Sequence, residues 1–262
     1  MEWPDSPLVG LDFETTGVDP LSDLPVQVAL VWCDGQGGRR HDCFLVDPER
    51  EIPEGAYEVH GISTARARAE GRSLEATAHY LHRHLSQAAA RRVPVVAMNA
   101  SFDVTIAECL FARAGLAPLD WRAVIDPLVI DRRIDRYRKG KRRLENLCET
   151  YGVSLCSAHD AGQDAAAAVS LARAIGRRWP ELAGLEAEEL TRLQEGWHKE
   201  WAVGFHTWCL EQGRPGLEES DHLWPVRCAR RPAQESEART VSMSLSLERG
   251  LTTASRMAVR PR

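Results

Sequence analysis

Residues 8–17 read LVGLDFETTG, an apolar run that ends in two acids, two threonines and a glycine. Successive side chains of a β-strand point to opposite faces, so Asp12 and Glu14 share one face and the apolar residues occupy the other. Two adjacent carboxylates resist ionising together unless a cation lies between them, and oxygen-only ligands favour Mg²⁺ or Mn²⁺. An isolated pair of this kind is more often two solvated acids. The metal interpretation therefore depends on acids later in the chain.

The composition is that of a globular protein with one large domain and an extension. The chain has 262 residues, of which 44% are hydrophobic and 27% charged. It has no apolar run of about 18 residues, so we expect no membrane span. Its first residues lack the pattern of a signal peptide, which predicts a cytoplasmic protein. The seven cysteines include no Cys-x-x-Cys pair, which argues against a zinc ribbon. The net charge of −5 gives no global attraction for nucleic acid.

Hairpins come first along the chain, and strands alternate with helices afterwards. Helical spacing predicts a helix over residues 73–91, and the proline- and glycine-containing stretch 47–63 is predicted as a loop. After the first strand, four further strands are predicted at residues 25–32, 41–46, 94–98 and 121–125. This order predicts an α/β fold with a mixed five-stranded sheet flanked by helices.

The C-terminal part predicts a helical extension and then a tail. Residues 186–213 carry apolar side chains at roughly helical spacing: Leu190, Leu193, Trp197, Trp201, Phe205 and Trp208. Such a stripe is typical of a helix packed on its own domain or, less often, of a base-stacking platform. From residue 225 the sequence becomes basic, serine-rich and aperiodic, which predicts disorder. The predicted division is a domain at 1–180, a helical extension at 181–224 and a disordered tail at 225–262.

Further acids follow predicted strands or begin predicted helices, where ligand-handling groups collect in α/β sheets. Asp103 falls in the first turn of a helix after the strand at 94–98, and Asp164 lies in an alanine-rich helix that begins near His159. The arginine- and lysine-rich stretch 132–143 lies between them. We interpret this stretch as a phosphate-contacting loop, with a merely solvated loop as the alternative.

Three segments together resemble the motifs of the DEDDh 3′→5′ exonucleases: DFETTG at 12–17, NASFD at 99–103 and HDAGQDA at 159–165. This group has a ribonuclease H-like fold and includes the proofreading epsilon subunit of bacterial DNA polymerase III, oligoribonuclease and ribonuclease T. The resemblance covers roughly residues 7–178. One departure is Gly162-Gln163, where many relatives have Leu-Gly, but neither position is an expected ligand.

The resemblance implies a two-metal mechanism, with Mg²⁺ or Mn²⁺ as the ions. Asp12, Glu14 and Asp164 would hold the first ion, Asp12 would bridge to the second, and Asp103 would hold the waters of that ion. His159 would be the general base. The candidate substrate-binding residues are Thr15, Thr16, His60, Ile62, Asn99 and Phe102. A purely structural role remains open for the threonines, for Asn99 and for the His60 turn.

The predicted function is hydrolysis of nucleic acid from a free 3′ end with release of nucleoside 5′-monophosphates. Single-stranded DNA is the favoured substrate, in proofreading or repair, and a DNA polymerase is a candidate partner. An RNA-trimming enzyme is the first alternative, because the metal ions act on the phosphodiester and not on the 2′-hydroxyl. The second alternative is a non-catalytic, polymerase-associated binding protein.

Overall fold

A computed structural model of the protein describes residues 2–155 and 160–228. Its strands form one sheet in the order β3-β2-β1-β4-β5. The strands are β1 (Leu8–Thr15), β2 (Pro25–Cys33), β3 (Arg39–Leu45), β4 (Val95–Val96) and β5 (Val124–Ile125). β1 pairs antiparallel with β2 and parallel with β4, so the sheet is mixed. The predicted five-stranded α/β fold is confirmed.

The helices account for most of the remaining described chain. They are α1 (Glu54–His60), α2 (Thr64–Glu70), α3 (Leu74–Ala90), α4 (Ala100–Arg113), α5 (Pro127–Ile134), α6 (Leu144–Tyr151), α7 (Ala161–Arg178), α8 (Pro180–Ala183) and α9 (Ala187–Glu211). Part of the predicted loop at 47–63 is the helix α1. None of its residues is buried, so the sequence carries no apolar stripe that would reveal it. None of the described helices has the length and apolarity needed to cross a bilayer.

The two faces of β1 pack against different helices. Val9, Leu11 and Phe13 belong to a core cluster that also contains side chains of α3 and α4. On the opposite face, α7 approaches so closely that a Cβ added at Gly10 would lie 2.6 Å from the carbonyl oxygen of Ala165. Glycine in the strand and alanine in the helix therefore set the distance between β1 and α7. This spacing brings the start of α7, with Asp164, to the acidic face of β1.

The helix α9 covers the edge strand β5 with side-chain hydrogen bonds. The Thr191 hydroxyl accepts from the backbone N–H of Val124 at 2.9 Å. The Gln194 side chain donates from Nε2 to the Val124 carbonyl at 2.8 Å and accepts at Oε1 from the Asp126 N–H at 2.7 Å. Both side chains are buried. α9 thus satisfies backbone groups that an edge strand otherwise exposes.

The aromatic stripe of α9 only partly faces the domain. Leu190 is fully buried and Trp197 packs against both large cores. Leu193, Phe205 and Trp208, however, are 38%, 37% and 42% exposed. The interpretation of the whole stripe as internal packing is therefore wrong for these three side chains.

The chain after α9 returns to the domain. Val226 is buried in the same core as Trp224, and the Arg227 backbone N–H donates to the Thr105 hydroxyl at 2.9 Å. The predicted disorder from residue 225 is thus wrong for residues 225–228, because this segment buries apolar surface against α4. The rest of the predicted tail, 229–262, lies outside the described residues.

Candidate active site

Three carboxylates converge at one end of the sheet. Asp12 and Glu14 project from the same face of β1, and Asp164 comes from the first turn of α7. One oxygen from each carboxylate lies within 4.8 Å of the others. Residues that are 150 positions apart in the sequence therefore form one cluster of oxygen ligands.

Asp103 joins this cluster through the backbone of β1. Its Oδ1 accepts a hydrogen bond of 3.1 Å from the N–H of Phe13, the residue between Asp12 and Glu14. The side chain is 3% exposed. The hydrogen bond fixes the position of the fourth carboxylate relative to the first two.

Both helices that carry these acids begin at the site. Asp160 caps α7 by accepting from the Gln163 N–H at 3.0 Å. The Asp126 carboxylate accepts from the backbone N–H groups of Asn99 and Ala100, at 3.1 and 2.9 Å, where α4 begins. Asp164 and Asp103 each fall in a first helical turn, where the helix dipole favours a negative charge.

The buried cluster raises the pKa values of its acids. Burial is the largest cause for Asp12, whose pKa lies well above its ordinary value, and the charge of Asp103 adds to this effect. Burial and the charge of Asp164 raise the pKa of Glu14 to about 7. Burial also raises the pKa of Asp103, although the hydrogen bond from Phe13 opposes the shift. A bound cation would relieve the mutual repulsion of these acids.

The residues fit a divalent metal ion of the oxygen-preferring kind. The donors are all carboxylate oxygens, they are close enough to share one ion, and their mutual repulsion is relieved by a positive charge. Asp12, Glu14 and Asp164 are the residues placed to hold such an ion, with Asp103 adjacent through Phe13.

The predicted general base, His159, lies outside the described residues. The described chain resumes at Asp160, one residue before α7. The role of His159 stays a prediction.

The threonines after Glu14 hold the loop that follows β1. The Thr15 hydroxyl donates to the Gly17 carbonyl at 2.6 Å. The Thr16 hydroxyl donates to Asp23 at 2.8 Å and accepts from Arg50 at 2.9 Å. These bonds support the structural alternative for both hydroxyls, and substrate contact remains a prediction.

The other substrate-binding candidates divide between packing and backbone roles. Ile62 is buried in a small core, and its N–H donates to His60 Nδ1 at 3.0 Å. Asn99 has a left-handed backbone (φ 65°) and makes no side-chain cap to α4, so its backbone forms the link to Asp126. Phe102, half-buried, packs against the core next to Asp103. Direct contact of these residues with substrate stays a prediction.

The basic stretch 132–143 has two different roles. Arg138 and Arg142 form ion pairs with Asp131, whose side chain is fully buried, so the phosphate interpretation is wrong for these two. Arg133 and Arg136 are exposed and pair with exposed Glu200. Asp131 lies directly before the basic stretch, so the composition of the stretch itself does not indicate this counter-ion.

The sheet order and the four carboxylates at one end of the sheet define a DEDD-type 3′→5′ exonuclease fold. The chain belongs to the exonuclease family, whose sequence pattern (RNase_T, Exonuclease) matches residues 9–172. The predicted family resemblance is thereby confirmed.

Relatives and solved structures agree with this assignment. The chain is 27% identical over 217 residues to the PolC-type DNA polymerase III of Thermotoga maritima, covering 82% of this chain and 15% of that protein. It is 26% identical over 196 residues to Exodeoxyribonuclease I of Escherichia coli, covering 65% and 40%. The crystal structure of E. coli Exonuclease I in complex with a dT13 oligonucleotide matches with a TM-score of 0.57 and 26% identity, covering 68% and 42%. The chain thus spans less than half the length of these relatives.

Proposed function

We propose that this protein is a divalent-metal-dependent 3′→5′ exonuclease that acts on single-stranded DNA and releases nucleoside 5′-monophosphates. The observation that carries the proposal is the convergence of Asp12, Glu14 and Asp164 within 4.8 Å, with Asp103 bound to the strand between the first two. Mg²⁺ or Mn²⁺ is the ion that this set of donors favours.

The mechanism assigns separate tasks to the residues of the site. Two bound cations would supply an activated water, neutralise charge on the phosphoryl group and stabilise the leaving 3′ oxygen. Asp12, Glu14 and Asp164 would hold the first ion, and Asp12 and Asp103 would serve the second. His159 accepts the proton of the attacking water, because an imidazole titrates near neutral pH.

DNA is favoured over RNA by the relatives. One matched protein is a DNA polymerase and another an exodeoxyribonuclease. Solved structures of E. coli Exonuclease I contain dT13 and dA16 oligonucleotides. The carboxylate cluster itself supports either nucleic acid, since it acts on the phosphodiester. Association with a polymerase is a further proposal that rests on the PolC-type relative.

The test uses DNA and RNA strands of the same sequence. One preparation of each strand is labelled at the 5′ end and a second preparation at the 3′ end. Immediate release of a labelled mononucleotide from the 3′ end, with a descending ladder from the 5′ label, supports the proposed direction. Activity must require Mg²⁺ or Mn²⁺, be abolished by EDTA, and be lost in Asp12→Asn, a variant of nearly the same size. Hydrolysis that persists in EDTA contradicts the metal mechanism, and faster cleavage of RNA favours the RNA-trimming alternative. Binding without hydrolysis in any condition favours the non-catalytic alternative.

A further inference from the structure

An open groove of about 530 Å³ lies between the end of α5 and the C-terminal half of α9. We call it the α9 groove. One wall carries Arg132, Arg133 and Arg136, and the other carries Trp201, Gly204 and Phe205. The described α9 lies beyond the stretch matched by the family pattern, which ends at residue 172.

The aromatic wall of the groove is a row of nearly parallel rings. Trp201 and Phe205 stack with centroids 5.2 Å apart and planes 11° apart, and Phe205 and Trp208 with 5.7 Å and 21°. These separations are those of offset stacking, so the rings cover one another's faces in part and what they leave exposed is mainly ring edge. A Cβ at Gly204 would meet no atom within 4 Å, so there is open space beside the row.

The opposite wall supplies positive charge. The Arg132 guanidinium lies 3.5 Å from the Trp201 ring centroid. Arg133 and Arg136 both pair with Glu200, at 3.2 and 3.6 Å, and all three side chains are about half exposed or more. Exposed ion pairs of this kind contribute little stability. The two arginines can therefore leave Glu200 and bind another anion. One carboxylate among three guanidinium groups leaves the groove positive.

We propose that the α9 groove binds single-stranded nucleic acid, with bases packed against the exposed edges of the aromatic row and phosphates on Arg133 and Arg136. Aromatic side chains combined with a cationic groove are the common solution for binding single strands. Segment 229–262 of the chain has more arginines than acids, so its charge has the same sign as that of the groove and does not complement it.

The position of the groove suggests which part of the strand it holds. Asp126, the residue before α5, accepts at its carboxylate from the start of the helix that carries Asp103. Arg132 lies six residues further along the chain, roughly 9 Å along α5. The strand in the groove would then be the part of the substrate upstream of its 3′ end, and this assignment rests on the proposed function. A dinucleotide then reaches only the carboxylates, whereas a longer strand also reaches the groove.

The test measures binding of fluorescent dT and rU oligonucleotides of increasing length by anisotropy in EDTA, since the groove itself uses no metal. We expect Trp201→Ala to weaken binding of a 20-mer at least about twofold, the lower end of what one edge-to-face aromatic contact contributes. Trp201→Phe should restore most of the affinity, and hydrolysis of a dinucleotide should not change. The matched control is Arg192→Gln, an exposed arginine on α9 outside the groove.

Two charge changes distinguish nucleic-acid binding from a structural role. Arg133→Gln should reduce the slope of log affinity against log salt by about 0.7, the value for one phosphate contact on a single strand. Glu200→Gln should strengthen binding, because it frees Arg133 and Arg136 and removes a negative charge. A surface that serves only the fold predicts no gain from this change.

The outcomes separate this proposal from the proposed function. If the Trp201→Ala and Arg133→Gln proteins bind oligonucleotides of every length as tightly as the Arg192→Gln control does, the groove proposal is overturned. The same holds if Trp201→Ala changes only the sedimentation coefficient, which would identify the groove as a contact between copies of the chain. If the groove variants weaken binding but the protein hydrolyses no nucleic acid, the groove proposal stands and the proposed enzymatic function fails.

Discussion

At the scale of single residues, the position of Asp103 depends on one backbone hydrogen bond. The Phe13 N–H lies between Asp12 and Glu14 and donates to Asp103 Oδ1. The charge of Asp103 raises the pKa of Asp12, so the same carboxylate that is placed for metal binding destabilises the metal-free cluster. Its hydrogen-bonding role and its charge can be separated by substitution.

Asp103→Asn should abolish hydrolysis while preserving the fold. The amide oxygen still accepts from Phe13, but a buried like charge is removed, so the thermal midpoint of the metal-free protein should rise. Relief of about 1 kcal/mol corresponds to roughly 2–4 °C for a domain of this size. Asp103→Ala is the matched comparison, since it leaves the Phe13 N–H without its acceptor at a cost of about 1–3 kcal/mol. Equal midpoints for the two variants, measured by differential scanning fluorimetry in EDTA, would contradict this account.

Gly10→Ala should lower activity without altering any carboxylate. The new Cβ would lie 2.6 Å from the carbonyl oxygen of Ala165, so α7 must move and Asp164 must move with it. We expect a loss of about 1–3 kcal/mol in the free energy of unfolding, as for overpacked cores, together with weaker metal binding. Gly196→Ala is the control, because its Cβ meets nothing within 4 Å. In a helix it should stabilise by up to about 1 kcal/mol. Urea denaturation and kinetic assays check both variants.

At the scale of elements, periodicity reveals local structure but not the long-range contacts that place the site. β1 and the capped start of α3 were predictable because each depends on neighbouring residues. The roles of Gln194 and Asp126 were not, since these residues are 68 positions apart and meet only after α9 docks on β5. The exposed part of the aromatic stripe could not be located for a related reason. A helical stripe does not indicate which part of its length is covered.

Gln194→Leu should destabilise the protein and also reduce turnover. The buried amide accepts from the N–H of Asp126 and donates to the carbonyl of Val124. The Val124 carbonyl keeps a contact with the Thr191 hydroxyl, but the Asp126 N–H is left without its acceptor, at about 1–3 kcal/mol. Asp126 in turn caps the helix that carries Asp103. The exposed Gln212 provides the control substitution, Gln212→Leu. Full activity of Gln194→Leu would show that α9 does not position the active site.

His198 on α9 should make stability depend on pH in acid. Burial lowers its pKa below 6.5, and Arg132 and Arg227 add to this, against the hydrogen bond to the Asp221 carbonyl and the charge of Asp126. The unfolded chain therefore binds the proton more readily than the folded protein. The contribution of His198 to the free energy of unfolding is therefore present above pH 6.5 and is lost as the pH falls below that value.

The measurement is the free energy of unfolding of wild type minus that of His198→Gln, between about pH 7.5 and 5.5. The difference should become smaller in acid. Subtraction cancels the carboxylate cluster, whose raised pKa values act with the opposite sign. A difference that is constant with pH would contradict the prediction.

At the scale of the whole molecule, charge is distributed unevenly although the net charge is −5. The carboxylates gather at one end of the sheet, and exposed arginines line the α9 groove. The net charge alone gave no reason to expect a nucleic-acid ligand. Because attraction between charges is screened beyond about 10 Å in ordinary buffers, this local arrangement matters more than the total.

Metal binding should therefore stabilise the folded protein as a whole. A cation that binds only the folded state adds about 2.7 kcal/mol at one hundred times its dissociation constant. We expect the thermal midpoint to rise when Mn²⁺ is added to protein stripped with EDTA, because the buried carboxylates gain a counter-charge. Asp12→Asn should lose most of this rise, whereas Asp42→Asn, on β3 and paired with Arg40, should retain it. An equal rise in both variants would show that Mn²⁺ binds elsewhere and that the cluster is not the metal site.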